Sequence, residues 1–200
     1  MAGRSRATLG MPKTPRRWSD GTHARLLHAG IEAFGAHGFD ALSEDAIARR
    51  ADLTRGALQY QFGGKRGLFE AALDHVLGET QSLLSDQTME RAHSIAELWE
   101  GVGVMMDLAL DDHRRRLMFV DAPAVLGWSA WRERLNAAFE PLLHHALGHW
   151  VEAGLITEAD VPGYSEVILS AGLQAALAQS AGDSRPREAL VAMIRRLAGR

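Results

Sequence analysis

Residues 53–69 read LTRGALQYQFGGKRGLF. Thr54 suits a helix start, because its hydroxyl can accept from a free backbone N–H of the first turn. Gly63-Gly64 ends the segment, and Lys65 opens a further apolar-periodic run through Leu68, Phe69, Leu73 and Val76. The helix between these marks is too short to stand alone in water. Leu58 and Phe62, four residues apart, give it a buried stripe. Arg55, Ala57, Gln59, Tyr60 and Gln61 are then left facing outward, and Gly56 lets the helix pass close to the preceding helix or to a ligand. A short helix with so polar a face must be seated by its neighbours.

Those neighbours are legible upstream. Thr22 reads as a cap before Leu26, Leu27, Ile31 and Phe34, a helix ending at Gly38. Ser43 caps a second helix, with Glu44 and Asp45 in its first turn where the helix dipole favours acids. Ile47, Ala48 and Ala51 form its buried side, and Asp52-Leu53-Thr54 is a three-residue break before the short helix. Two helices joined so tightly make a helix-turn-helix unit. Downstream, helical periodicity extends over 94–111, 114–127, 129–153, 163–181 and 186–199. Breaks fall at Asp111-Asp112, Gly127, Gly154, Pro162-Gly163 and Gly182 to Pro186, and no convincing alternating strand occurs. The expected fold is all-α. A flexible basic arm (1–18) precedes a three-helix head (19–66), which helix 4 joins to a larger helical body (67–200).

Composition fits a soluble globular chain: 200 residues, 46% hydrophobic and 24% charged. Without cysteine, disulfides and thiolate metal ligands play no part. No run of 18 apolar residues provides a membrane-spanning helix. The basic start, including Arg16-Arg17, lacks the apolar stretch of a secretory signal, so a cytoplasmic location is expected.

The net charge of −3 is unevenly spread. Residues 1–66 carry eleven Lys/Arg against six Asp/Glu, leaving −8 for the rest. A basic end suggests a surface that meets a polyanion. The chemistry of the short helix agrees: glutamine can pair with adenine, arginine with guanine, and Ala57 could touch a thymine methyl. Ser43 and Thr54 stand at helix starts suited to phosphates, and Lys65 can add another phosphate contact. The competing reading is a solvated polar face and a solubilising tail. If the arm instead enters a minor groove, its five positive charges strengthen binding at low salt.

Residues 25–69 resemble the DNA-binding domain of the TetR-type repressor family. The resemblance rests on Arg25, Ala29, Phe34, Gly38, Phe39, Ser43, Ile47, Ala48, Ala51, Leu53, Thr54, Gly56, Leu58, Phe62, Lys65 and Leu68. It implies an all-helical homodimeric transcriptional regulator, not an enzyme and without a cofactor. Its heads would bind double-stranded operator DNA, and a small-molecule effector in the bodies would release it. Two positions depart from the pattern: the family commonly has tyrosine at Gln59, where it contacts a phosphate, and histidine at Gln61.

The effector pocket implied for the body would draw on Met105, Met106, Met118, Phe119, Trp128, Trp131, Phe139 and Leu142, with His145 as a polar partner. Such side chains suit an apolar or aromatic molecule, and equally a plain core. Residues 118–135, MFVDAPAVLGWSAWRERL, also resemble a stretch common in one branch of the family. His144, His145 and His149 invite a metal reading, although no HExxH pattern is present. Residues 163–181 are apolar on most sides and rich in small residues. Val167, Ser170, Ala171, Gln174, Ala175 and Ala178, with Leu190, Met193, Ile194 and Leu197, form an expected four-helix dimer seam, with an intramolecular bundle as the alternative. The rivals to the regulator are an effector-binding helical protein with weakened DNA binding and a metal protein built on the histidines.

Overall fold

The chain is described by a computed structural model over residues 20–89, 103 and 111–198. The basic arm at 1–18, Met105, Met106 and nearly all of the helix expected over 94–111 lie outside the described residues. Among the described residues there is no strand.

The head is α1 (Asp20–His37), α2 (Glu44–Arg50) and α3 (Arg55–Phe62), followed by α4 (Lys65–Met89). Thr22 is not the cap of α1: the helix begins at Asp20, and Thr22 is buried inside its first turn. Ser43 and Thr54 do cap. Their hydroxyls accept from the N–H groups of Ala46 and Ala57, each at 3.2 Å. The α3–α4 turn depends on Gly63 and Gly64, with φ of 70° and 124°. Just beyond it, a methyl group at Gly67 would collide with the carbonyl oxygen of Phe62, so the end of α3 abuts the start of α4.

Leu26, Phe34, Ile47, Leu58, Leu68 and Phe69 are buried in one cluster, with Phe34 and Phe69 edge to face at 5.1 Å. Each such side chain stabilises the fold by about 1.5–3 kcal/mol. The cluster does not stop at the head. It continues through Leu117, Met118, Trp131, Leu135 and Phe139. A second cluster, centred on Trp150, Ile168, Ala175, Leu190 and Ile194, lies beyond it, and Phe119 and Leu143 pack against both.

The body comprises α5 (Asp112–Arg115), a π-helical turn (Arg116–Asp121), α6 (Ala122–Leu126), α7 (Trp128–Glu152), a 3-10 turn (Glu158–Asp160), α8 (Val161–Ser180) and α9 (Arg185–Ala198). One helix over 114–127 was the expectation. The π turn interrupts it just before Pro123, which has no N–H to continue the α-ladder. Pro162 and Gly163, expected to break the chain, sit in the first turn of α8, where proline is tolerated. The guanidinium of Arg134 on α7 grips Asp74 at 2.5 and 2.7 Å and Glu70 at 3.0 Å, both on α4. No helix among the described residues is long and apolar enough to cross a membrane.

Candidate nucleic-acid interface

α3 packs against α1, α2 and α4, which hold it from three sides. That wide contact changes one expectation. Ala57 is fully buried together with Leu58, so it presents no methyl to a base. Phe62 is half-buried and stacks on His23 at 4.4 Å between ring centres. Gly56 is exposed, and a methyl group there would meet only the Thr54 hydroxyl, at 3.7 Å. The absence of a side chain therefore serves no approach to α2. The outward surface of α3 is Arg55, Gly56, Gln59 and Tyr60, and the Tyr60 ring is 65% exposed.

Glu44, read from sequence only as a dipole-matching acid, is the centre of this surface. Its Oε2 accepts from Arg55 Nε at 2.8 Å and Gln59 Nε2 at 2.8 Å. Its Oε1 accepts from the same Gln59 nitrogen at 2.9 Å and from the backbone N–H of Lys65 at 3.0 Å. One carboxylate thus joins the starts of α2 and α4 to the face of α3. The Gln59 amide, the Lys65 N–H and the Arg55 guanidinium hold its pKa below the ordinary carboxylate value.

Lys65 is placed differently from the expectation. Its ammonium turns inward and donates to the carbonyls of Phe39 at 3.0 Å and Leu42 at 2.9 Å, 4.1 Å above the Phe39 ring centre. The α1–α2 loop turns these carbonyls toward it, so its side chain braces the head instead of reaching outward for a phosphate. Gln61 is half-buried beside His23 Nδ1, at 3.3 Å. Ser43 and Thr54 are exposed, but their hydroxyls are committed to their own helix starts. Arg49 and Arg50 at the end of α2 and Arg66 at the start of α4 are exposed cations of the head. Arg25 ties α1 to the α2–α3 turn through the Ala51 carbonyl at 2.5 Å.

The profile of bacterial regulatory proteins of the tetR family matches residues 26–72, and that of the tetracyclin repressor-like C-terminal domain matches residues 95–200. This chain belongs to the TetR family. It is a DNA-binding transcriptional regulator of that family, whose members are regulators and not enzymes. It is 26% identical to the HTH-type transcriptional regulator BetI of Burkholderia ambifaria over 149 residues, 74% of this chain and 72% of that one. A solved TetR-family regulator from Pectobacterium atrosepticum shares its fold, with a TM-score of 0.71, 24% identity and coverage of 92% and 95% of the two chains. FadR of Bacillus subtilis, solved with stearoyl-CoA, matches with a TM-score of 0.66, 18% identity and coverage of 88% and 96%.

The TetR-family body departs from several sequence expectations. Met118, Trp131 and Phe139 are buried core residues, and Trp131 Nε1 donates to the Met118 carbonyl at 2.8 Å. Phe119 and Leu142 are half-buried, whereas Trp128 is 66% exposed and His145 is exposed. Trp128 starts α7 immediately after the Gly127 break, which leaves its ring outside the bundle. Among the described residues, a cavity of about 130 Å³ lies where α1, α4 and α5 meet, lined by Ile31, Val76, Glu79, Asp111, His113, Arg114 and Leu117.

His144 lies 3.5 Å from Glu140 and His149 lies 3.3 Å from Glu152, while His145 meets His149 edge to face at 5.2 Å. Among the described residues no three histidines or carboxylates are grouped to hold a metal. In the expected dimer seam, Ala175, Leu190 and Ile194 are buried within the chain, because α9 packs on α8 through them. Val167, Ser170, Gln174, Met193 and Leu197 are exposed, and Ala171 and Ala178 are half-buried.

Two further residues escaped sequence reading. Asp121 Oδ2 accepts from the backbone N–H of Phe39 at 2.8 Å, and Arg116 donates to the Ala36 carbonyl at 2.6 Å. Both stand on the π turn and grip the C-terminal end of α1, contacts across about 80 residues of chain. No local pattern announces them.

Proposed function

We propose that this regulator is a dimeric, cytoplasmic repressor. Its head, residues 19–66, reads a near-palindromic operator, and its body, residues 67–200, holds a small effector and the partner copy. The observation that carries this reading is α3 itself, clamped on three sides with Tyr60 and the Arg55 terminus turned to solvent. Paired recognition helices would enter successive major grooves about 34–36 Å apart. The exposed stripe of Val167, Ser170 and Gln174 on α8, beside Met193 and Leu197 on α9, supports a four-helix seam between copies. A largely apolar or aromatic effector agrees with the ligands of two structural neighbours, resorcinol in RolR and stearoyl-CoA in FadR. Effector binding would favour a head spacing that no longer fits the operator, and so release it.

The test is an electrophoretic shift of DNA flanking the protein's own gene, with and without candidate aromatic effectors. Sequence-preferring binding that an effector weakens is the expected result. A second reading, an effector-binding protein with weakened DNA binding, is favoured by one observation: the Gln59 amide and Arg55 Nε are engaged by Glu44. It predicts no sequence preference. For the basic arm, removing residues 1–17 should weaken binding and flatten its salt dependence, and an unchanged slope would count against contact with DNA.

A further inference from the structure

We propose that Glu44 is a positioning residue for operator recognition, a role that rests on the DNA-binding reading above. Arg55 is the first residue of α3, the end of a recognition helix that meets base edges. Its guanidinium is held to Glu44 through Nε at 2.8 Å. Among the described residues, its two terminal nitrogens make no hydrogen bond, and the side chain is 60% exposed while that of Glu44 is only 18% exposed. A long, freely rotating arginine is thereby reduced to one presented fork. Two parallel N–H donors in that fork match the O6 and N7 acceptors of guanine.

The same carboxylate removes Gln59 from recognition. Both of its oxygens take the Gln59 Nε2 group, the donor that glutamine would use toward adenine N7. With the Lys65 N–H also bound, four hydrogen bonds fill the acceptor sites of Glu44. Gln59 is therefore a brace, Arg55 the guanine reader, and Glu44 the residue that separates their roles. Ordering the guanidinium before binding reduces the side-chain entropy lost on the DNA.

The test is selection from randomised DNA with full-length wild type, Arg55→Ala, Glu44→Ala, Glu44→Gln and the Arg55→Ala, Glu44→Ala double variant, with a thermal melt of each. Wild type should prefer guanine at one position per half-site, and Arg55→Ala should lower that preference about tenfold or more. Glu44→Ala should lower it at the same position, with preferences at the other positions retained. Glu44→Gln, whose amide oxygen can still accept from Nε, should restore part of it, and the double variant should be no worse than Arg55→Ala. An intact guanine preference in Glu44→Ala and Glu44→Gln would overturn the proposal. So would a uniform loss at every position accompanied by a lowered melt in both, the mark of a purely structural residue. If wild type itself shows no preference at any position, the DNA-binding reading fails first and this inference falls with it.

Discussion

Asp121 accepts the backbone N–H of Phe39 at 2.8 Å, so a residue of the body caps a loop of the DNA-binding head. Arg116, from the same π turn, donates to the Ala36 carbonyl at 2.6 Å. The turn therefore engages both an N–H and a carbonyl at the end of α1. Phe119, between the two gripping residues, packs against both hydrophobic clusters. This segment thus ties the packing of the body to the end of α1. Asp121→Ala leaves the Phe39 N–H without its partner, and the expected loss of stability is about 1–3 kcal/mol in chemical denaturation. Wild-type stability in that variant would mean that the contact does not hold head to body.

Gly67 is a position where side-chain bulk is not tolerated. Its Cβ would overlap the Phe62 carbonyl, a backbone atom that cannot move aside without opening the α3–α4 turn. Gly67→Ala should cost about 1–3 kcal/mol despite alanine's better helix propensity. A melt at or above that of wild type would contradict the close approach of α3 to α4.

The dimer seam is tested where the surface is exposed. Val167 is 60% and Met193 is 45% exposed, so charges there disturb the fold of one chain little. Val167→Glu with Met193→Glu should shift sedimentation from dimer to monomer while helical circular dichroism is retained. A dimer unaffected by both changes would move the interface elsewhere.

Acid should loosen the head through Glu44. Hydrogen bonds from Gln59 and the Lys65 N–H, with Arg55, lower its pKa in the folded chain. A group with a depressed folded pKa contributes its stability above the unfolded value and loses it as pH falls through the folded one. The contribution is therefore constant near neutrality and lost below about pH 4. Melting curves between about pH 7 and about pH 3 should fall less steeply for Glu44→Gln than for wild type. Parallel curves would mean that another carboxylate governs the acid loss.

Local chemistry made much of the head legible. Ser43 and Thr54 cap as their sequence context indicates, and Gly63-Gly64 turns the chain between α3 and α4. Reading failed where a side chain answers to distant residues. A single stripe of Leu58 and Phe62 leaves Ala57 outward, but three helices press on α3 and widen its buried arc. Its place at a helix start points Lys65 to a phosphate, yet carbonyls 23 and 26 residues earlier hold its ammonium. Glu44 looked like an ordinary acid of a first turn, and its partners lie 11 to 21 residues away. In the body, periodicity told apolar from polar faces but not whether an aromatic side chain enters the core. Trp131 does so, while Trp128, three residues earlier, remains outside.

The most direct measurement is sequence selection from randomised double-stranded DNA by the purified full-length protein at near-physiological salt, run beside Tyr60→Ala. Tyr60 is largely exposed, so its removal should spare the melting temperature and the oligomeric state. The account predicts a near-palindromic site with half-sites about one helical turn apart for wild type, bound clearly more weakly by Tyr60→Ala. Weak binding that is indifferent to sequence, and the same in both proteins, would contradict it.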